Sequence, residues 1–387
     1  MAHVSLHDPN PGFGRISLLD VVKTLGALGA VSLQAIFFLL GQFFRRSRPT
    51  PRLKEFKIFL LRKMLGWLPN SILRRPTDIN HILASKRYGQ RVARLVEKVD
   101  RPDLSGVWLC KPGFESVDSA NAPSSADVVI LFAHGGGYVI GQPGLYATLL
   151  LHVAERIVAE GQTVAVFALD YSLAPESPFP SQLRQMVACW EYLVGEMGIS
   201  TSKLALLGDS AGGSLCLSFL AHMASPLARV PAVSDRTHPG RGLYLMSPWV
   251  SLLSERGYAA KATTDALEIG KLRQWASMEI GGADISEVHT YLDFAGGRED
   301  LADILPSYTW VSAGGGEMFL ENISRFVSVA RAAGRKVDFD VKDGEAHDWQ
   351  LMESVQLEKK FLAQEFGTGV MAGADGIAKA IVATGAF

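Results

Sequence analysis

From residue 100 onward, short uninterrupted apolar runs alternate with longer stretches in which apolar positions recur every three or four residues. Val128–Ala133 carries no polar residue, the pattern of a strand buried on both faces, and Val164–Leu169, Leu204–Leu207, Gly242–Met246 and Tyr308–Ala313 read as further strands. Gly106–Cys110 reads as an early strand, and Val337–Val341 alternates apolar with acidic positions. Between them, Leu145–Ala159, Pro180–Met197 and Ser214–Ala221 are helical in pattern, and Leu351, Val355 and Leu357 mark a closing helix. Strands that alternate with helices predict a mostly parallel α/β sheet. Residues 251–300 carry little strand pattern but contain a helical Ala266–Ile280. With the amino-terminal helices they are expected to roof a pocket as a lid. No repeat or low-complexity linker interrupts the chain after residue 100. The predicted organisation is amino-terminal anchor or cap helices over 1–100, one domain over 101–370 with a cap insertion at 251–300, and a Gly/Ala-rich tail over 371–387 expected to fray.

The amino-terminal part follows a different pattern. Thr24 to Phe44 contains no charged residue and includes Leu25, Leu28, Leu33, Ile36, Phe37 and Leu40. As a helix it would span roughly 30 Å, the thickness of a bilayer's hydrocarbon core. No basic cluster precedes it, and Arg45-Arg46-Ser47-Arg48 follows directly, unlike a cleavable signal peptide. Gly26, Gly29, Gln34 and Gly41 weaken it as a span. Two readings follow: a membrane anchor, which is preferred, or a buried cap helix over the pocket. For a span, the basic flank predicts that the main domain stays on the cytoplasmic side. Leu53–Leu68 sets Lys54, Lys57, Arg62 and Lys63 among Phe56, Phe59, Leu61 and Leu65. Such a basic amphipathic helix suits a membrane surface or an ordinary solvated face. The expected localisation is membrane-associated, single-pass or peripheral, with the endoplasmic reticulum as one candidate and the cytoplasm as the alternative.

Composition narrows the classes. The 387 residues are 48% hydrophobic and 20% charged with net charge −1, which suits a large core and suggests no polyanionic partner. Nucleic acid is therefore not an expected partner. Cys110, Cys189 and Cys216 are widely separated, neither a disulfide framework nor a metal spacing. One glycosylation triplet, Asn322-Ile323-Ser324, matters only in a secretory lumen.

Three stretches carry chemistry. Gly208-Asp209-Ser210-Ala211-Gly212-Gly213 joins an apolar run to a helix, the context of a nucleophile elbow. Gly208 and Gly212 let the turn be tight, and Ser210 then presents its hydroxyl with the Ala211 N–H at a helix N-terminus beside it. His134-Gly135-Gly136-Gly137 follows the run 128–133 directly. A glycine loop there brings backbone N–H groups close to a substrate oxygen, so Gly135, Gly136 and Ala211 are the expected oxyanion donors. His134 is read as structural. No Gly-x-Gly-x-x-Gly or Walker lysine supports phosphate binding instead. Of nine histidines, His347 combines a loop after a late strand with the right chain order for a general base. Glu317 is the first acidic residue past the 308–313 strand and the expected partner of that imidazole. Glu321, one turn on, is the backup and a brace. Asp209 is assigned structural support; Asp338 and Asp340 are read as solvated, and Asp343 is a weaker candidate. No metal or cofactor is expected.

Together, His134-Gly135-Gly136-Gly137, Asp170-Tyr171-Ser172-Leu173-Ala174-Pro175-Glu176-Ser177-Pro178-Phe179-Pro180 and Gly208–Gly213 resemble, in the family's own order, the hormone-sensitive-lipase family of α/β-hydrolases. The resemblance covers roughly residues 105–365. It implies the α/β-hydrolase fold with a helical cap, esterase or lipase activity on carboxylic esters, Ser210 as nucleophile and His347 as base. The chain departs from the family in three places. Glu317 and Glu321 stand where Asp is usual, Ser172 where Arg is usual, and Asp348-Trp349 where Gly-Phe is usual. An apolar amino-terminal anchor resembles the fungal steryl acetyl hydrolase branch and related hydrolases of secondary metabolism. The expected function is hydrolysis of a short-acyl or acetyl ester of an apolar molecule such as a sterol or secondary metabolite, through an acyl-enzyme. An acyltransferase, lactonase or cyclase on the same fold is the alternative, and a non-catalytic receptor a remote third.

Overall fold

The computed structural model describes residues 15–44, 51–74, 76–116 and 121–384. The basic run 45–48 lies outside them. Eight strands form one sheet: β1 (Glu97–Arg101), β2 (Leu104–Cys110), β3 (Val128–Ala133), β4 (Val164–Leu169), β5 (Leu204–Asp209), β6 (Gly242–Met246), β7 (Tyr308–Gly314) and β8 (Lys336–Lys342). Their order is β1-β2-β4-β3-β5-β6-β7-β8. β1 and β2 pair antiparallel, as do β2 and β4; every other pairing is parallel. Side chains alternate across the sheet, so a continuous apolar strand feeds two cores at once. Val128, Ile130 and Phe132 pack on one side, and Val129, Leu131 and Ala133 on the other. All six β3 residues are buried.

The flanking helices are α1 (Leu18–Phe44), α2 (Arg52–Trp67), α3 (Ala147–Ala159), α4 (Ser181–Trp190), α5 (Ala211–Ala224), α6 (Ile269–Ile280), α7 (Leu320–Ala332), α8 (Trp349–Leu362) and α9 (Ala372–Ala383). The helix predicted over 180–197 ends as α4 at Trp190 and continues in a π-turn to Glu196. The carboxy-terminal stretch does not fray. Ala374, Ile377 and Ile381 of α9 are buried in the core beside α3, and Gly373 approaches so near Gln350 that an added Cβ would lie 2.8 Å from its side chain. Small residues there serve close helix contact rather than disorder. Asn322 is also buried, its amide bonded to Ser254, so the glycosylation triplet is closed to a glycan in the folded chain.

At the amino terminus, Ser17 and Asp20 cap α1 reciprocally. α1 does not become a buried cap. Of its described side chains only Ala27 and Val31 are buried, while Leu25 is 65% and Phe37 64% exposed. It leans on α2, with Phe38 stacked on Phe59 at 4.4 Å. α2 is the helix that reaches the domain: Arg62 donates to the carbonyls of Ala262 and Asp265, both at 3.0 Å, and Lys57 to Gln356 at 3.3 Å. Further on, Arg87 and Tyr88 close on Glu155 of α3, with Arg87 Nε 2.8 Å from Oε1.

Candidate active site

The candidate residues follow the carboxyl ends of β3, β5, β7 and β8, the edge where open α/β sheets collect ligands. Ser210 closes β5 in a strained backbone conformation, φ 50 and ψ −114, as the N-cap of α5. Glycine is obligatory around it. A Cβ at Gly208 would meet Gly212 O at 2.5 Å, and one at Gly212 would meet Ala133 O at 2.0 Å. Ser210 Oγ and His347 Nε2 are in hydrogen-bond contact at 2.9 Å. The imidazole is 3.8 Å from Glu317 Oε1 through Nδ1, while Glu317 Oε2 accepts Ser247 Oγ–H and Gly314 N–H, both at 2.7 Å. Ser210, His347 and Glu317 thus lie in series, buried, with the last contact loose. Such contacts often tighten only around substrate. Glu321 is not part of the series: it is exposed and lies 3.7 Å from Arg256 at the surface. Asp338, Asp340 and Asp343 are exposed as well.

The glycine loop corrects the expected donor set. Gly135 N–H is engaged by the Tyr146 hydroxyl at 3.0 Å, and that hydroxyl donates to Asp209 Oδ2 at 2.6 Å. Gly135 therefore anchors the loop and is not free for an oxyanion. Gly136 and Gly137, both at positive φ, and Ala211 keep N–H groups without a partner among the described residues. A Cβ on Gly137 would come within 2.3 Å of the Trp275 ring on α6, so the cap lies directly on this donor. His134 is buried, stacked on Tyr171 at 4.0 Å, and its Nδ1–H donates to Gly135 O at 2.7 Å. Burial lowers its pKa to about 4, which keeps it neutral and structural.

Three contributors were not legible as such in the sequence. The first is Arg74, from the segment after α2. Its buried guanidinium donates to Val139 O at 2.6 Å, to Glu176 Oε1 at 2.7 Å and to Ala174 O. The positive group absent at Ser172 is thus supplied from the amino-terminal segment, and through Val139 it holds the turn whose N–H groups bond Gly136 O. The second is Asp265, in the cap. Fully buried, it accepts the backbone N–H groups of Met318 (2.8 Å) and His347 (2.9 Å), bracing both the acid turn and the base loop. The third is Asp348, 3.1 Å from His347 Nε2. Burial works to lower the His347 pKa, but Asp348, Glu317 and Asp265 together raise it to about 10. The only sequence signal for any of these was the unusual pair Asp348-Trp349 and the missing arginine at 172; nothing pointed to Asp265, which is 82 residues from its partner.

Above Ser210 opens a cavity of about 580 Å³. Leu61 and Leu65 of α2, Leu267 and Trp275 of the cap, and Leu351 and Val355 of α8 give it apolar walls, with Gly136, Gly137 and His347 at its floor. No cluster of side chains able to hold a metal ion occurs among the described residues.

Residues 130–351 match the family described as the alpha/beta hydrolase fold. An acetyl-hydrolase of Streptomyces hygroscopicus is 28% identical over 222 residues, 57% of this chain and 67% of that protein. A putative steryl acetyl hydrolase of Schizosaccharomyces pombe is 25% identical over 202 residues, 52% of this chain and 48% of that one. In fold, the chain is similar to the crystal structure of an esterase from the bacterial hormone-sensitive lipase family, with a TM-score of 0.57 and 23% identity over 95% of this chain and 98% of the other. With the family match spanning more than half of its length, the chain belongs to the α/β-hydrolase family, as a carboxylic ester hydrolase of the hormone-sensitive-lipase type.

Proposed function

We propose that the protein is a serine esterase that cleaves a short-acyl or acetyl ester of an apolar alcohol through an acyl-enzyme. Ser210 Oγ attacks the ester carbonyl while His347 Nε2 takes its proton; Glu317 steadies the resulting imidazolium. The Gly136, Gly137 and Ala211 N–H groups receive the oxyanion, with donors about 3 Å away worth several kcal/mol in a dry site. His347 then protonates the departing alkoxide, and water resolves the acyl-enzyme by the same route in reverse. The observation that carries this reading is the 2.9 Å contact between Ser210 and His347 at the floor of an apolar cavity. The cavity walls support an apolar alcohol moiety, and the names of the Streptomyces and Schizosaccharomyces relatives support an acetyl group.

The same reading includes membrane association through α1. Leu18–Gly41 is a 24-residue apolar stretch with mean hydropathy 1.8, long enough to cross a bilayer and almost wholly uncovered by the rest of the chain. That leaves a large apolar surface that a lipid phase would cover.

Purified protein tested on p-nitrophenyl esters of increasing chain length and on steryl acetates is expected to prefer short acyl groups. Ser210→Ala is expected to lower turnover by several orders of magnitude and to abolish labelling by a fluorophosphonate probe with the fold intact. Near-normal hydrolysis by that variant would end the assignment.

A further inference from the structure

A second acidic group reaches the imidazole from the side of the nucleophile. Asp348 Oδ1 is 3.1 Å from His347 Nε2, the nitrogen that also faces Ser210. It is brought there by a left-handed backbone, φ 54 and ψ 39, and its N–H donates to Ser247 Oγ at 3.2 Å. A non-glycine residue held in that region is uncommon, and such strain gathers at functional sites. On its other side the Asp348 carboxyl neighbours that of Asp209, and the Oδ1 atom of each is buried without a hydrogen-bond partner among the described residues. Two neighbouring carboxylates repel each other; burial raises the pKa of both, and the Asp209 charge adds to this at Asp348. Asp209 accepts the Tyr146 hydroxyl, and Tyr146 accepts Gly135 N–H.

We propose that Asp348 is a second carboxyl partner of His347, one that competes with Ser210 for the Nε2 nitrogen. This rests on the assignment of Ser210 and His347 above and deepens it. In the resting site a protonated imidazole turns its Nε2–H to Asp348 and cannot serve as base. The site is armed when one proton leaves the group for solvent, so that Nε2 carries a lone pair and Ser210 Oγ–H donates to it. The other charged groups around the imidazole are Glu317 on the Nδ1 side and Asp265 behind the loop, with Lys57 the cation lining the cavity from α2. The acidic surroundings outnumber the basic ones. Because Glu317 stands 3.8 Å from Nδ1 and Asp348 3.1 Å from Nε2, the nearer carboxyl is the one the catalytic cycle must release.

The test is the pH profile of kcat/KM for p-nitrophenyl acetate in the full chain and in Asp348→Asn, a residue that accepts the left-handed backbone. The acid limb is expected to fall by one pH unit or more, so that activity at pH 6, relative to each enzyme's own plateau, rises at least tenfold. A midpoint within 0.2 unit of the parent's would overturn the proposal. Asp348→Gly relieves the backbone as well and must shift the limb in the same direction; an unchanged limb there is equally fatal. Should both variants fail to fold, the parent's downfield imidazole N–H resonance decides: it is expected to persist well above the usual histidine range and to vanish only at alkaline pH, and loss near pH 6–7 overturns the proposal. Hydrolysis surviving in Ser210→Ala would instead strike the underlying site assignment, which keeps the two failures apart.

Discussion

Asp265→Asn tests how the cap holds the site. The native carboxylate is fully buried and accepts three backbone N–H groups: Ala266 at 2.7 Å, Met318 at 2.8 Å and His347 at 2.9 Å. Asparagine keeps the shape but turns one oxygen into an NH₂ that must face a donor. A hydrogen bond to a charged acceptor contributes about 1.5–3 kcal/mol, so losing one and weakening two costs roughly 2–4 kcal/mol before any offset. Relief of a buried charge returns part of this, since burial holds the Asp265 pKa above its usual range. The net expectation is a destabilisation of about 1–3 kcal/mol, read by urea unfolding. The kinetic effect should be larger. The His347 backbone N–H is bonded to Asp265, and a misplacement of about 1 Å at a reacting group can cost on the order of 100-fold. Asp265 is not among the cavity-lining residues, so KM should change little while kcat falls by about 10- to 100-fold. Steady-state kinetics on p-nitrophenyl acetate would show it. A kcat within twofold of the parent, or a loss carried by KM, would refute the view that this carboxylate positions the base.

Arg74→Gln should loosen the Gly136 turn and lower kcat/KM by roughly tenfold, with a loss of stability of about 2 kcal/mol for the two buried carbonyls left short of a donor; unchanged kinetics would reduce Arg74 to a scaffold contact. Gly137→Ala places a methyl against Trp275 at a positive φ, and kcat is expected to drop at least about 100-fold as one donor is displaced; near-parent kcat in a folded variant would remove Gly137 from the donor set. Liposome flotation should retain the full chain and lose a version without residues 1–50; a truncated chain that still floats would exclude α1 as the attachment. Because the carboxylates around His347 raise its pKa, the neutral base form grows with pH, so kcat/KM should climb between pH 7 and 9; a flat profile there would contradict it.

The strands marked by continuous apolar runs were legible in the sequence, and β8 was legible from its alternation although most of it is exposed. β1 was not legible: only Val99 of Glu97–Arg101 is buried, and an edge strand carrying Glu97, Lys98, Asp100 and Arg101 reads as a loop. α9 was hidden because its small residues, which permit close contact, look like disorder when no neighbour is in view. At the site, chain order singled out Ser210, His347 and Glu317, which the fold brings into series. It could not tell which of three consecutive glycines would spend its N–H on Tyr146, since that depends on a side chain eleven residues away. Asp265 and Arg74 act across 53 to 102 residues of sequence, through contacts that leave no local period. Glu321 lies one helical turn beyond Glu317, yet that turn carries it out to the surface.

The Arg62–Asp265 connection sets a rule for recombination. The roof over the reaction chamber looks like a replaceable module, free to exchange its walls and so retune selectivity while the sheet below stays constant. Yet the roof also delivers the carboxylate that two loops of the lower storey depend on. A chimera that transplanted another hydrolase's cap without an acid at this corner should bind ligands in its new chamber and still turn over poorly.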